Sequence, residues 1–487
     1  MTINLQQLTA LLPLLIIIFT ALTVMLSISY NRNHFFIAVF SILGFISAFC
    51  SLYLLTKIVP IDITFLFYID SYSILYIGMI MISSICACIF SYPWLLKYPF
   101  NKEEFYLLII ISNLGAISLI ISNHMAAFFI SIELISLPIF GLIAYSSYQK
   151  YSLEASFKYI ILSGISSSFL LLGIAWIYSI SGSLDFLSIH QVFDIASKNE
   201  KLVVLFGISM VLVSLFFKLS IVPFHLWTPD IYQGTPTSVL SFFSTTGKIA
   251  VFSALLHFLS RISDLDNEIL YFILLLITIS SILIGNLMAL FQKNIKRFFG
   301  YTSISQLGYL LIVLFISKKN YLFSLEASAI YLCSYLFSNI ACFGIINLIS
   351  NADKKNNIDS SIHSYQGLFW SQPLLSAIFT LSLLSLAGIP MTLGFIGKFY
   401  ILSIITQEHL WIIGFSFLIG TVLGLYCYLR IILNLYLNQE KLLKINSNIS
   451  KNWFYTPSGA VICISGIILL ILGIYPSPLI SLMKLTI

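Results

Sequence analysis

Charge is what this 487-residue chain has least of: Asp, Glu, Lys and Arg together make up 9% of it, against roughly a quarter in soluble domains. Hydrophobic residues reach 59% and the mean hydropathy is +1.01. Such a chain cannot cover its own surface in water. Disorder, a nucleic-acid-binding domain and a soluble Rossmann or barrel enzyme are excluded on that ground. No CxxC pair occurs, and the seven cysteines lie dispersed in apolar stretches. Cys86 and Cys88 point in different directions on a helix, so all seven are expected to be small buried hydrophobes. There is no phosphate loop and no dinucleotide fingerprint, so the chain binds neither NADH nor ATP through a known motif. No His/Cys/carboxylate group recurs at ligand spacing, and no metal, flavin, iron–sulfur or haem ligands are expected. Met1 to Gln7 carry no basic residue and no small-residue cleavage site follows, which predicts a retained first helix rather than a signal peptide.

What fills the chain is apolar runs of about 20 residues. A transmembrane β-barrel would instead show alternating segments of about ten. The reading is therefore an all-α polytopic membrane protein in a lipid bilayer. Fourteen spans are expected, at 9–29, 35–56, 72–92, 105–122, 124–145, 153–178, 202–228, 237–258, 268–291, 302–317, 324–350, 372–405, 410–437 and 458–482. The seventh carries Pro223 inside an apolar run, and the twelfth is overlong and contains Gly388-Ile-Pro390. Both predict broken helices, whose freed carbonyls must be buried in protein or line a hydrated cavity.

An even span number puts both termini on one side. One set of loops holds thirteen basic residues: Arg32, Lys97, Lys102, Lys150, Lys293, Lys296, Arg297, Lys354, Lys355, Arg430, Lys441, Lys444 and Lys451. The other holds seven: Lys57, Lys198, Lys201, Arg261, Lys318, Lys319 and Lys484. The positive-inside rule makes the first set cytoplasmic and sends both termini outside.

The remaining four of the 24 basic residues are Lys158, Lys218, Lys248 and Lys398, all inside expected spans. Glu133 joins them in the middle of Ser131-Ile-Glu-Leu-Ile-Ser-Leu-Pro138. A charge at the bilayer centre costs at least about 2.5–3.5 kcal/mol. Snorkelling to the headgroups is the plain alternative. It fails for Lys248, which is near the middle of its span, and for Glu133, whose stem is short. Lys218 precedes the Pro223 break and Lys398 follows the Pro390 break, so each is placed to face a cavity. Lys158 has Glu154 four residues before it and also reads as an ordinary surface pair. One acid and several lysines in one low-dielectric region titrate as a coupled set, which is what a proton relay requires. His225, in Val222-Pro-Phe-His-Leu-Trp-Thr-Pro-Asp230, could pass protons or bond a freed carbonyl. His124 and His257 are expected at the interface, and His34, His190, His363 and His409 in loops.

At these residues the chain resembles the subunit N family of bacterial proton-pumping NADH:quinone oxidoreductase, respiratory complex I. The stretches are 133–142 (ELISLPIFGL), 152–159 (SLEASFKY), 217–236 (FKLSIVPFHLWTPDIYQGTP), 285–290 (GNLMAL), 294–301 (NIKRFFGY) and 385–400 (SLAGIPMTLGFIGKFY). They run in order across nearly the whole chain. The resemblance implies two inverted five-helix repeats, each with a broken helix. It divides the chain into N-terminal helices 1-104, a first repeat 105-258, a second repeat 259-437 and a C-terminal helix 438-487. It implies that Glu133 pairs with Lys218, that Lys248 continues a hydrated path, and that Lys398 stands near its far end. Lys158 falls beside the first pair. One departure stands out: the family often has a histidine where this chain has Gln306, and an amide takes no proton at neutral pH. The resemblance further implies a bacterial inner membrane location and contact with other antiporter-like complex I subunits. FMN, iron–sulfur clusters and quinone are then expected in partner subunits, with no cofactor in this chain. A cation/proton antiporter subunit of the Mrp type shares the charge pattern and is the competing reading, though the stretches at 152–159 and 285–301 favour the first. A passive scaffold would gain nothing from five mid-membrane charges.

Overall fold

The structure, a computed structural model, describes residues 4–186, 188–189, 197–261, 268–317, 320–352, 361–437 and 453–485. His190 and the loop lysines 318, 319, 354, 355, 441, 444 and 451 lie outside the described residues. The chain is built from α-helices: α1 Leu12–Tyr30, α2 His34–Leu55, α3 Ser71–Leu96, α4 Glu104–Ile120, α5 Met125–Ile143, α6 Lys150–Ser181 and α7 Lys198–Lys218. Then follow α8 Thr228–Gly234, α9 Thr237–Arg261, α10 Glu268–Leu290, α11 Ile295–Leu311 and α12 Tyr321–Ala352. The series closes with α13 Pro373–Ala387, α14 Leu393–Gln407, α15 Trp411–Tyr436 and α16 Pro457–Ile474. Among the described residues, twelve helices are long and apolar enough to cross a membrane, rather than fourteen. The other expected spans hold α4 and the pair α13 and α14, which are apolar but shorter.

Two expected boundaries move. The tenth span begins at Ile295, not 302, because Asn294 caps the helix by accepting from the amides of Lys296 and Arg297. Both basic residues therefore leave the loop and enter the first turn. The last span ends at Ile474, and a separate helix, Ser477–Leu485, follows Pro476. A two-stranded hairpin, Ile61–Asp62 against Tyr68–Ile69, was not expected. Bridges Phe67–Ser122 and His124–Asp185 tie three loops together at that end of the bundle, and Asn294–Ser361 ties two at the other.

Helix packing here needs close backbone approach, since lipid tails are as apolar as leucine. Gly173 of α6 and Gly207 of α7 supply it: a Cβ on Gly173 would lie 2.6 Å from the Gly207 carbonyl oxygen. From that crossing, ten residues back along α6 is Ser163 and eleven on along α7 is Lys218. The antiparallel register thus brings the two side by side. Small hydroxyls satisfy themselves locally, as with Ser166 donating to the Ser163 carbonyl, so they add little polarity to the bundle. Of the cysteines, Cys50 is exposed and Cys463 half-buried, against the expectation that all are buried. In an apolar environment a thiol on the outer wall behaves as one more small hydrophobe.

Candidate functional site

Both expected breaks are present. The first separates α7 from α8, with Ser220 at φ 59° and Pro223 unable to donate to a helical carbonyl. The second separates α13 from α14, with Gly388 at φ 81° and Met391 at φ 71°. A third irregularity was not expected. Inside α9, residues Phe243–Gly247 form a π-helical turn, directly before Lys248. Thr245 and Thr246 turn their hydroxyls back onto the carbonyls of Ser241 and Phe242, which loosens the regular ladder there. The signal in the sequence was the run Ser244-Thr-Thr-Gly247, which apolar periodicity does not score.

The three lysines share one kind of setting. Lys218 Nζ donates to Ser163 Oγ at 2.5 Å and stands 5.8 Å from the centre of the Tyr159 ring. Lys248 is 2% exposed, donates to Ser303 Oγ at 2.7 Å and lies 5.4 Å from the Tyr232 ring centre. Lys398 donates to the Ala387 carbonyl at 2.7 Å and lies 5.1 Å from the Tyr309 ring centre. Each ammonium therefore has one oxygen acceptor and one aromatic face. A ring quadrupole at this range stabilises a cation by about 0.5–2 kcal/mol without supplying a counter-charge. The tyrosine partners were missed because nothing in one sequence connects residues so far apart.

Glu133 is half-buried on α5. It makes no direct ion pair with Lys218: its Oε1 is buried without a hydrogen-bond partner, and the lysine turns to Ser163. His225 is buried in the break, with Nδ1 unpartnered. Lys158 is placed differently from the other lysines. It is 40% exposed and pairs with both Glu154 and Asp230 at 2.7 Å. Arg297 Nη1 reaches the other Asp230 oxygen at 3.2 Å and also donates to Gln233 Oε1. Asp230 thus ties α6, α8 and α11 together at one end of the first break. Pairs this exposed contribute less than about 1 kcal/mol each, so their role is alignment rather than stability.

Gln306 occupies the middle of α11. Its amide donates to the Leu386 carbonyl at 3.0 Å and to Tyr428 Oη at 3.2 Å, and it accepts from the Tyr331 hydroxyl. Leu386 lies just before the second break, so the amide satisfies one of the carbonyls the break leaves free. Gln306→Leu is expected to lower the midpoint of thermal inactivation of the solubilised assembly. It strands the Leu386 carbonyl and the Tyr331 hydroxyl, at about 1–3 kcal/mol for each buried unsatisfied group. An unchanged midpoint would mean that water takes the amide's place.

Gly388 is where local backbone and site meet. Its φ of 81° disfavours any side chain, and an added Cβ would lie 2.5 Å from Lys398 Cδ. Gly388→Ala is expected to cost about 1–3 kcal/mol in backbone strain and to push the ammonium off the Ala387 carbonyl. The measurement is proton pumping per electron in the fraction that assembles. Parental pumping there would show that the glycine does not set the lysine's position.

Among the described residues no group of three or more His, Cys, Asp or Glu could hold a metal ion. Broken helices flanked by enclosed, aromatic-faced lysines, Lys218 half-buried and Lys398 buried, define the class: an antiporter-like membrane subunit. The family model described as NADH:quinone oxidoreductase/Mrp antiporter, transmembrane, matches residues 122–424. Relatives called NADH-quinone oxidoreductase subunit N, from Buchnera aphidicola of Acyrthosiphon pisum (strain APS) and of Schizaphis graminum (strain Sg), are 77% and 66% identical. They match over 100% and 99% of both chains. Respiratory complex I from Thermus thermophilus contains a chain that is 26% identical with a TM-score of 0.80, covering 96% of this chain and 98% of that one. A chain of the Mrp complex from Dietzia sp. DQ12-45-1b shares the fold alone, at 19% identity and a TM-score of 0.84, over 98% and 97% of the two chains. The chain belongs to the NADH:quinone oxidoreductase/Mrp antiporter family and, within it, to the subunit N group of the NADH-quinone oxidoreductases.

Proposed function

We propose that Glu133, Lys218, Lys248 and Lys398 carry protons through the membrane arm of an NADH:quinone oxidoreductase, with quinone reduction elsewhere in the complex as the energy source. His225 sits beside the first step, and Lys158 with Asp230 holds the broken helix in line. The observation that carries this reading is the shared setting of three lysines, Lys248 and Lys398 buried and Lys218 half-buried, two of them at the broken helices and one after the π turn. Each has a neutral oxygen acceptor and a tyrosine face but no direct counter-charge. A fully neutralised lysine would hold its proton, whereas a lysine stabilised only by dipoles and a ring can give it up when a neighbouring charge changes. Moving a full charge across the membrane costs about 2.3 kcal/mol per 100 mV, so transfer proceeds in short steps between such groups.

The repeats 105–258 and 259–437 each contain one broken helix, which supports two related half-units. Placing the thirteen-residue basic set in the cytoplasm puts both termini outside. FMN, iron–sulfur clusters and quinone belong to partner subunits in this reading. Other antiporter-like subunits then flank the chain in the bacterial inner membrane. Co-purification from native membrane tests it. Recovery with flavin and iron–sulfur subunits is expected, and recovery with small membrane subunits alone would favour an Mrp-type antiporter instead.

A further inference from the structure

At the end of the bundle opposite the Lys158–Asp230–Arg297 cluster, a small cavity opens among α3, α9 and α12. Its volume is about 20 Å³, enough for one water, which needs roughly 10–15 Å³. Asp70, Tyr72, Tyr76, Ser253, His257 and Tyr321 contribute to its wall. Sequence reading left His257 as an ordinary interfacial residue. Here it faces the cavity, with its ring near Tyr68 and Phe186, both at 6.3 Å between centroids. Asp70, at the N-terminus of α3, lines the same cavity, and Arg261 lies one turn further along α9. Arg261 is itself held over the Tyr68 ring at 5.0 Å. Tyr72 is 5% exposed and its hydroxyl is buried without a partner in a wall of this cavity. A buried hydroxyl left so is costly unless water completes it.

The cavity lies on the same helix as Lys248. His257 is nine residues further along α9, about 13 Å at 1.5 Å per residue, and Ser253 lies between them. On α3 the residues Tyr72, Tyr76 and Ser83 fall on one face. Tyr76 shares a 2.8 Å hydrogen bond with Ser328, and Ser83 lies 3.5 Å from Thr246 in the π turn. Ile80, fully buried, is the dry gap in that polar stripe.

We propose that His257 and Asp70, with a water held against Tyr72, form a proton-exchange mouth connecting the Lys248 region to the aqueous face at the hairpin end. The imidazole takes a proton from the cavity water on one side and releases one to bulk water on the other, while Asp70 stabilises the imidazolium between the two transfers. Nothing is oxidised or reduced. The inference rests on the relay reading above, and deepens it by giving Lys248 an opening to one face of the membrane.

The test uses the assembled complex in sealed vesicles, with Asp70→Asn and His257→Gln compared with Lys248→Met. Asparagine caps a helix as well as aspartate does, so Asp70→Asn keeps the Ser73 amide bonded and removes only the charge. Both mouth variants are expected to lower proton pumping per electron at least threefold at normal assembly. If both pump like the parent while Lys248→Met does not, the mouth is wrong and the relay stands. If Lys248→Met also pumps normally, the relay fails and the mouth with it. Should His257→Gln not assemble, Asp70→Asn decides alone: at normal assembly, a threefold or larger loss of pumping per electron supports the proposal, and parental pumping overturns it.

Discussion

Lys248→Met is expected to leave the complex assembled near its parental abundance and to reduce proton pumping per electron at least tenfold. Methionine matches the length of the lysine stem and is easily fitted into an irregular gap. The position is fully enclosed, with 2% exposure, so the stem packs whether or not it ends in an amine. Removing the ammonium leaves no orphan donor, because the Ser303 hydroxyl already donates to the Gly300 carbonyl at 2.7 Å. The face of Tyr232 loses a cation and gains a thioether, itself a favourable neighbour for a ring. Structure should therefore tolerate the change while titration is abolished. A loss of assembly with no specific effect on pumping would assign Lys248 a structural role. Unchanged pumping at normal abundance would remove it from the relay.

Glu133→Gln should produce the second large loss, again about tenfold or more, which corresponds to about 1.4 kcal/mol in the rate-limiting barrier. Glutamine keeps the volume and one oxygen, so the buried Oε1 position remains filled. What disappears is the carboxylate that the relay reading sets beside Lys218. Because the lysine is bonded to Ser163 rather than to the carboxylate, the variant breaks no direct contact, and assembly is expected to be normal. A pumping stoichiometry equal to the parent's would show that Lys218 works without a partner acid. Loss of assembled complex would show instead that the carboxylate is bonded through water and needed for packing.

Much of this arrangement was legible before any coordinates. Pro223 and the Gly388-Ile-Pro390 segment announce the two breaks because proline removes a donor and glycine permits positive φ, which are local effects. The four mid-span lysines and Glu133 stand out because charge in an apolar run is costly wherever the run packs. The lysines' partners were not legible. Ser163 and Lys218 are 55 residues apart, as are Lys248 and Ser303, and serine is too common in these helices to mark one. The enclosing helices are buried on almost every side, 94% of the key window for both α9 and α12, so they show no apolar stripe from which an inward face could be read. Asp230 escaped notice for a different reason. It follows the break, in the short stretch read as the connection between the seventh and eighth spans, and only the fold brings it to Lys158 and Arg297.

The π turn at Phe243–Gly247 also bears on how this chain can change in length. A π turn carries one residue more than the α-helix around it needs. Most single-residue deletions in a buried helix rotate everything beyond them by about 100° and expose the wrong face. A deletion inside 243–247 instead lets the backbone return to a regular helix, so the bundle can absorb it. Lys248, first residue after the turn, and the residues beyond it then keep the face they present to Ser303 and Tyr232. The segment is thus the place in α9 where a deletion is mildest, removing only the local widening of the backbone beside the lysine.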